Sequence, residues 1–240
     1  MAPRRVFVDN VSDGRAIASG ARAHHLARVA RLKPGETVEV SDGAQAWTAV
    51  AASIDPRQVV FTTIEALPSS PALARLELHL ALIKLPRFEW AVEKATELGV
   101  SAIVPVAAER SDGGLIKGAA KRIERWERIA EEAAQQSRRL STPAVEAPLT
   151  LGEALVRDAD LRCLVDFSGQ EPSAGLLAGL SASSTVAMFV GPEGGWSDEE
   201  LVLARNAGAQ AISLGPNVLR AETAALAAVS ILGRLVRTIE

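Results

Sequence analysis

The sequence predicts an α/β protein in two parts: a small β-rich unit over residues 1–66 and a parallel α/β unit over 73–240. Three observations carry this. Short β-branched and aromatic runs separated by turn signals fill the first quarter of the chain. Leu67-Pro68-Ser69-Ser70-Pro71 then breaks every periodicity, marking 67–72 as a linker. From Leu76 onward, strand-like and helix-like segments alternate, the pattern of a parallel sheet covered by helices.

In the first part, Arg5-Val6-Phe7-Val8, Thr37-Val38-Glu39-Val40, Trp47-Thr48-Ala49-Val50 and Val59-Val60-Phe61-Thr62 read as strands, with Ser41-Asp42-Gly43 as a turn. A helical stretch between the first two places Leu26, Val29 and Ala30 on one face. In the second part, Leu76–Ile83, Ala102–Val106, Leu161–Phe167, Thr185–Val190 and Ala211–Leu214 read as strands. Phe88, Val92, Ala95 and Leu98 have helical spacing, and Gly99 is placed as a C-cap. A long helix is expected over about Ala119–Arg138 with Ile123, Trp126, Ala130 and Ala133 inward, and a last one over Ala221–Val236. Trp90 and Trp126 are read as core residues on these helices.

Bulk properties exclude several classes. No window approaches the ~18 apolar residues of a membrane span, and the amino terminus leads into no apolar signal region, so a cytoplasmic protein is expected. Cys163 is the only cysteine, which leaves no disulfide framework or cysteine-rich metal site. His24, His25 and His79 lack metal-ligand spacing, so no metal is expected. The net charge is −3, yet basic residues cluster at Arg4/Arg5, Arg22/Arg28/Arg31/Lys33, Lys117–Arg128 and Arg138/Arg139. Such clusters serve either phosphate contact or a solvated helix face.

Two loops near the carboxyl end concentrate the chemistry. Gly191-Pro192-Glu193-Gly194-Gly195 follows one strand and Leu214-Gly215-Pro216-Asn217 follows another, placing bare backbone where open α/β sheets bind ligands. Ser197 and Glu200 have capping-box spacing, with Asp198 and Glu199 in the same first turn. Those acids disfavour an anion there, and no lysine follows the glycines as a P-loop requires. A neutral or cationic ligand read by backbone groups fits better.

GPEGG at 191–195, the S-x-x-E after it, LG at 214–215 and VLRAETAAL at 218–226 together resemble the carboxyl-terminal signature of SPOUT-class RNA methyltransferases. The branch most similar is the one that methylates N3 of a uridine in 16S ribosomal RNA. Similarity extends to Arg4-Arg5-x-Phe7, His25-Leu26-x-Arg28-Val29-x-Arg31-Leu32, Glu93-Lys94-x-Thr96-Glu97-Leu98-Gly99 and Glu109-Arg110. The resemblance implies a PUA-like β-barrel for RNA binding at 1–66 and a SPOUT α/β domain with a carboxyl-terminal trefoil knot at 73–240. It also implies a homodimer, S-adenosyl-L-methionine as cofactor, and 16S rRNA or the 30S subunit as partner.

Cofactor contacts are expected from Val190, Gly191, Pro192, Gly194, Gly195, Leu214, Gly215, Val218, Leu219, Thr223 and Ala224, and Trp196 is expected to wall the cleft. RNA contacts are expected from Arg4, Arg28, Arg31, Glu93, Arg110, Gln136 and Arg139. Arg138 stands where the family usually has glycine. Uracil N3–H must lose its proton during transfer, which needs a base or stabilisation of the developing anion. Arg220 is expected to stabilise that anion, with Glu222 or Glu193 as proton acceptor. The competing reading of Arg220 is a salt bridge to Glu222 or Glu193 that holds the loop. A non-catalytic RNA-binding protein of the same fold, or a tRNA ribose methyltransferase, are the alternatives; the intact Arg220 and GPEGG glycines disfavour the first, and the VLRAET spelling the second.

Overall fold

The computed structural model describes residues 3–68 and 73–237. Most of the expected linker, residues 69–72, lies outside the described residues. Contacts divide the chain into two compact units, Met1–Pro71 with Ala134–Thr142, and Ala72–Ala133 with Pro143–Glu240.

In the first unit the strands are β1 (Arg5–Phe7), β2 (Asn10–Ser12), β3 (Arg15–Ser19), β4 (Thr37–Ser41), β5 (Ala46–Ile54) and β6 (Gln58–Ala66), in sheet order β1-β4-β5-β6-β3-β2. The β1 and β2 strands are consecutive in the chain yet sit at opposite ends of that order. The residues between them bridge the gap: the Val8 amide donates to the Ser41 carbonyl and the Asp9 amide to the Ile17 carbonyl. One bent ribbon thus switches partners and closes the sheet around a core of Val6, Leu26, Val38, Val40, Val59 and Phe61, leaving no long edge. The β2–β3 hairpin was not anticipated, although its signal is in the sequence: Asp13 and Gly14 both adopt positive φ (49° and 72°), the backbone of a type I′ turn.

The helical stretch is α1 (Gly20–His24) running into a π-helical turn, His25–Val29. A π turn takes more residues per revolution than an α turn, so the 3.6-residue spacing no longer keeps Val29 on the face of Leu26. Leu26 is buried while Val29 is 65% exposed, against the expected inward placement.

In the second unit, β7 (Arg75–Ala81), β8 (Ala102–Ala107), β10 (Leu149–Thr150), β11 (Leu161–Gln170), β12 (Thr185–Val190) and β13 (Gln210–Ile212) form a wholly parallel sheet. The order is β10-β8-β7-β12-β11-β13, with the short β9 (Ala144–Val145) also on β8. Leu78, Leu80, Val186 and Met188 face one core with α2 (Leu85–Leu98), α4 (Ile123–Gln136) and α7 (Ala221–Val236). Ala81, Val106, Ala187 and Phe189 face a second with α5 (Leu151–Leu155) and α6 (Asp198–Asn206). Gly99 ends α2 in the left-handed conformation (φ 104°) and its amide donates to the Ala95 and Thr96 carbonyls, as its placement required. The expected long helix is shorter: α3 (Gly113–Ala119), capped by Asp112, and a 3₁₀ turn at Ala120–Arg122 precede α4. Trp126 is fully buried and stacks on Phe88 with ring centroids 4.5 Å apart. Trp90 corrects the expectation of a core residue; it is 43% exposed. No helix among the described residues is long and apolar enough to cross a membrane.

Candidate functional site

Parallel strands all end on one side of their sheet, and ligands bind beyond those ends. Here β12 ends at Val190, β13 at Ile212, and β11 lies between them in the sheet. The loops leaving β12 and β13, together with residues of β11, enclose a cleft of about 270 Å³. Of the expected cofactor residues, Val190, Gly191, Pro192, Gly194, Gly195, Leu214, Gly215, Val218, Leu219 and Ala224 line it; Thr223 does not, and is exposed on α7. Position 223 points away because the cleft takes one stripe of α7, which Ala221 and Ala224 share at helical spacing.

The first loop is held from three sides. The Gly195 amide donates to the Pro192 carbonyl at 2.9 Å and closes the turn, with Gly195 at φ +70°. Ser197 and Glu200 form a capping box at the start of α6, and the second oxygen of the buried Glu200 accepts from the Glu109 amide at 2.9 Å. Arg110 donates from Nη1 to the carbonyls of Gly194 (2.8 Å) and Trp196 (3.1 Å). Arg110, expected at the RNA, therefore braces the glycine loop.

Trp196 walls the cleft and is 6% exposed. Its ring lies so close to Gly191 that a Cβ there would stand 3.2 Å from the indole Nε1 and Cε2. The Nε1–H is buried with no acceptor among the described residues. Asp166 and Glu193 are the charged residues on the lining, and no lysine or arginine is among them. Such a wall favours a ligand that carries positive charge and no phosphates.

Arg220 is the N-cap residue of α7, is exposed, and its guanidinium makes no hydrogen bond or ion pair among the described residues. The two carboxylates that could have bound it are engaged by another side chain. Arg87, in the first turn of α2, places Nη1 3.2 Å from Glu193 Oε1 and Nε 3.6 Å from Glu222 Oε1. The loop-holding salt bridge is absent from this structure. Glu222 is 8% exposed, and its Oε2 is buried without a hydrogen-bond donor among the described residues.

The remaining expected RNA residues differ in how their side chains are placed. Glu93 shares Lys94 with Glu97, each at 2.7 Å. Glu89, four residues before Glu93, makes a bidentate pair with Arg125 that holds its carboxyl below the usual carboxylate range. In the first unit, Arg4 is tied to the Ala30 carbonyl and to Glu36. Arg28 and Arg31 are exposed on the π turn and the loop after it. Gln136 is exposed, whereas Arg139 is half-buried, and burial pushes its guanidinium below the ordinary arginine value. Arg138 adopts φ +59°, a conformation that favours glycine. Its side chain joins Arg5 on the buried Glu39, which offsets the strain of that backbone with charge-assisted hydrogen bonds.

A family model described as an RNA methyltransferase domain matches residues 69–233, and one described as an RNA methyltransferase PUA domain matches 18–64. A ribosomal RNA small subunit methyltransferase E from Synechocystis is 37% identical over 91% of this chain and 72% of its own length. The protein of the same name from Bacillus subtilis is 31% identical over 88% of this chain and 87% of its own. The chain belongs to the ribosomal RNA small subunit methyltransferase E family. A crystal structure of such a methyltransferase E from Neisseria gonorrhoeae, bound to S-adenosyl methionine, superposes with a TM-score of 0.83 at 27% identity, covering 97% of this chain and 98% of that one.

Within this methyltransferase E framework, the sequence reading missed Val165, Asp166 and Phe167 as cleft residues, along with Ser213 and Asn217. The first three lie on β11, which precedes the glycine loops in sequence by more than twenty residues but lies between β12 and β13 in the sheet. Only the strand order brings them there. Ser213 and Asn217 flank the recognised LG pair and were within reach of the same loop argument.

Proposed function

We infer that the protein transfers the methyl group of S-adenosylmethionine to N3 of a uridine in 16S ribosomal RNA of the small subunit. The observation that carries this is the cleft itself: glycine backbone and apolar wall, two acids and no base, at the carboxyl ends of β11, β12 and β13. That lining suits S-adenosylmethionine, whose sulfonium and ammonium are cationic and which has no phosphates. When bound, the cofactor supplies an electrophilic methyl that passes to N3 as its bond to sulfur breaks. The backbone of Val190, Gly191, Gly195, Leu214 and Gly215 and the walls Trp196, Leu219 and Ala224 hold it in one orientation, so the protein contributes position. Arg220 directs its two-pronged donor set at the uracil oxygens, where charge accumulates as the N3 proton leaves. Glu222 or Glu193, both paired with Arg87, takes that proton.

The first unit serves as the RNA-binding domain, with the exposed Arg28 and Arg31 on phosphates, and Gln136 and Arg139 contacting RNA beside them. Arg4 and Arg110 act through the backbone they brace. Uridine N3 is a pairing edge, so the target base is unpaired or flipped when it reacts. The return of α7 from the β13 edge onto β7 and β12 supports a trefoil knot in the region from Thr185 onward. A cytoplasmic homodimer is the form in which we expect it to act.

Calorimetry without added metal tests the cofactor. S-adenosylmethionine and its demethylated product should bind, and ATP should bind more weakly or not at all, because its phosphates would face Asp166, Glu193 and the acidic first turn of α6. A preference for ATP would overturn the reading.

A further inference from the structure

We propose that Arg87 is a positioning residue for methyl transfer: it engages Glu193 of the glycine loop and Glu222 of α7, and thereby keeps the Arg220 guanidinium open for the acceptor base. This rests on the reading of Arg220 above.

Arg87 is out of place by local rules. It sits in the first turn of α2, where the helix dipole disfavours a cation, and nothing in the packing of α2 calls for it, since the buried stripe is Phe88, Ala91, Val92 and Ala95. What it does is span two elements. Its Nη1 reaches Glu193 of the glycine loop at 3.2 Å and its Nε reaches Glu222 of α7 at 3.6 Å. These acids would otherwise be the natural partners of Arg220. Glu222 is two residues away in the chain, and Glu193 shares the cleft wall with Val218 and Leu219, which lead into Arg220. An exposed arginine beside an unengaged carboxylate forms an ion pair at small cost, and a paired guanidinium has fewer donors for a substrate. Glu193 is the more accessible of the two, with a side chain 41% exposed against 10% for Glu222.

The test follows methyl transfer from S-adenosylmethionine to 30S subunits from cells lacking the gene, with cofactor affinity by calorimetry and thermal melting alongside. Arg87→Ala should lower kcat by about ten- to a hundred-fold, part of the ~10²–10³ that a transition-state donor is worth, with cofactor affinity unchanged. Arg87→Lys should fall between, since a point charge cannot hold two carboxylates as a fixed fork does. In Arg87→Ala/Glu193→Gln the more exposed of the two competing carboxylates is gone, and most of the rate lost in Arg87→Ala should return. A double variant no faster than Arg87→Ala, or a fall in cofactor affinity matching the fall in rate, would overturn the proposal. Arg220→Ala, run beside them, separates the two levels. Slow transfer in Arg220→Ala with full rate in both Arg87 variants removes the role of Arg87 alone, whereas full rate in Arg220→Ala removes the reading beneath it.

Discussion

Replacing Arg220 by alanine is expected to slow methyl transfer by ~10²–10³, the usual cost of removing one donor aimed at developing charge. Thermal stability and cofactor affinity should be nearly unchanged, because the Arg220 side chain holds nothing in the folded protein. It is exposed, it makes no hydrogen bond or ion pair among the described residues, and it caps α7 without a side-chain contact. Its main-chain carbonyl accepts from the Ala224 amide at 2.8 Å and does so with any side chain. Arg220→Lys should recover only part of the rate, since an ammonium lacks the planar pair of donors. Single-turnover kinetics with calorimetry on the same preparations checks all three statements. A loss of cofactor affinity proportional to the loss of rate would assign Arg220 to the loop instead.

Gly191→Val is expected to weaken cofactor binding while leaving the fold. A Cβ at this position would meet the Trp196 indole at 3.2–3.3 Å, and valine adds two methyls beyond it. The ring cannot simply withdraw, because Trp196 is packed among Leu155, Phe189 and Ala204 in the core under α5 and α6. Overpacking of this kind costs about 1–3 kcal/mol, which corresponds to roughly a five- to 150-fold loss of affinity if the binding-competent wall bears it. The substitution separates two uses of glycine. At Gly195 the requirement is conformational, φ +70° with open space around a Cβ, whereas at Gly191 it is the approach of an aromatic wall. Calorimetry with S-adenosylmethionine on Gly191→Val decides the matter, with circular dichroism to confirm folding; wild-type affinity would contradict this account of the wall.

Much of the second unit was legible because its signals are local. The strand Thr185–Val190 and the helix Ala221–Val236 sit where their apolar patterns placed them, and the Ser197–Glu200 capping box and the Gly99 C-cap follow from side chain and backbone chemistry within one turn. The helix α5 was missed although Thr150 and Glu153 carry the same capping-box spacing, because only five residues of helix follow it. The path of β11 into the cleft and the capture of Glu193 and Glu222 by Arg87 depend on which strands and helices become neighbours. Periodicity along one chain does not report that. Glu222 and Glu193 suggested an ion pair with Arg220, yet both pair with Arg87, more than a hundred positions away on α2.

The claim at the centre is a single base modification, and nucleoside mass mapping of 16S ribosomal RNA measures it directly. RNA from cells carrying the gene should contain N3-methyluridine at one position, RNA from cells lacking it should contain uridine there, and the purified protein with S-adenosylmethionine should restore the methyl group to the second sample. An identical set of modified nucleosides in the two samples, or a missing methyl on a ribose rather than on uracil N3, would contradict the account.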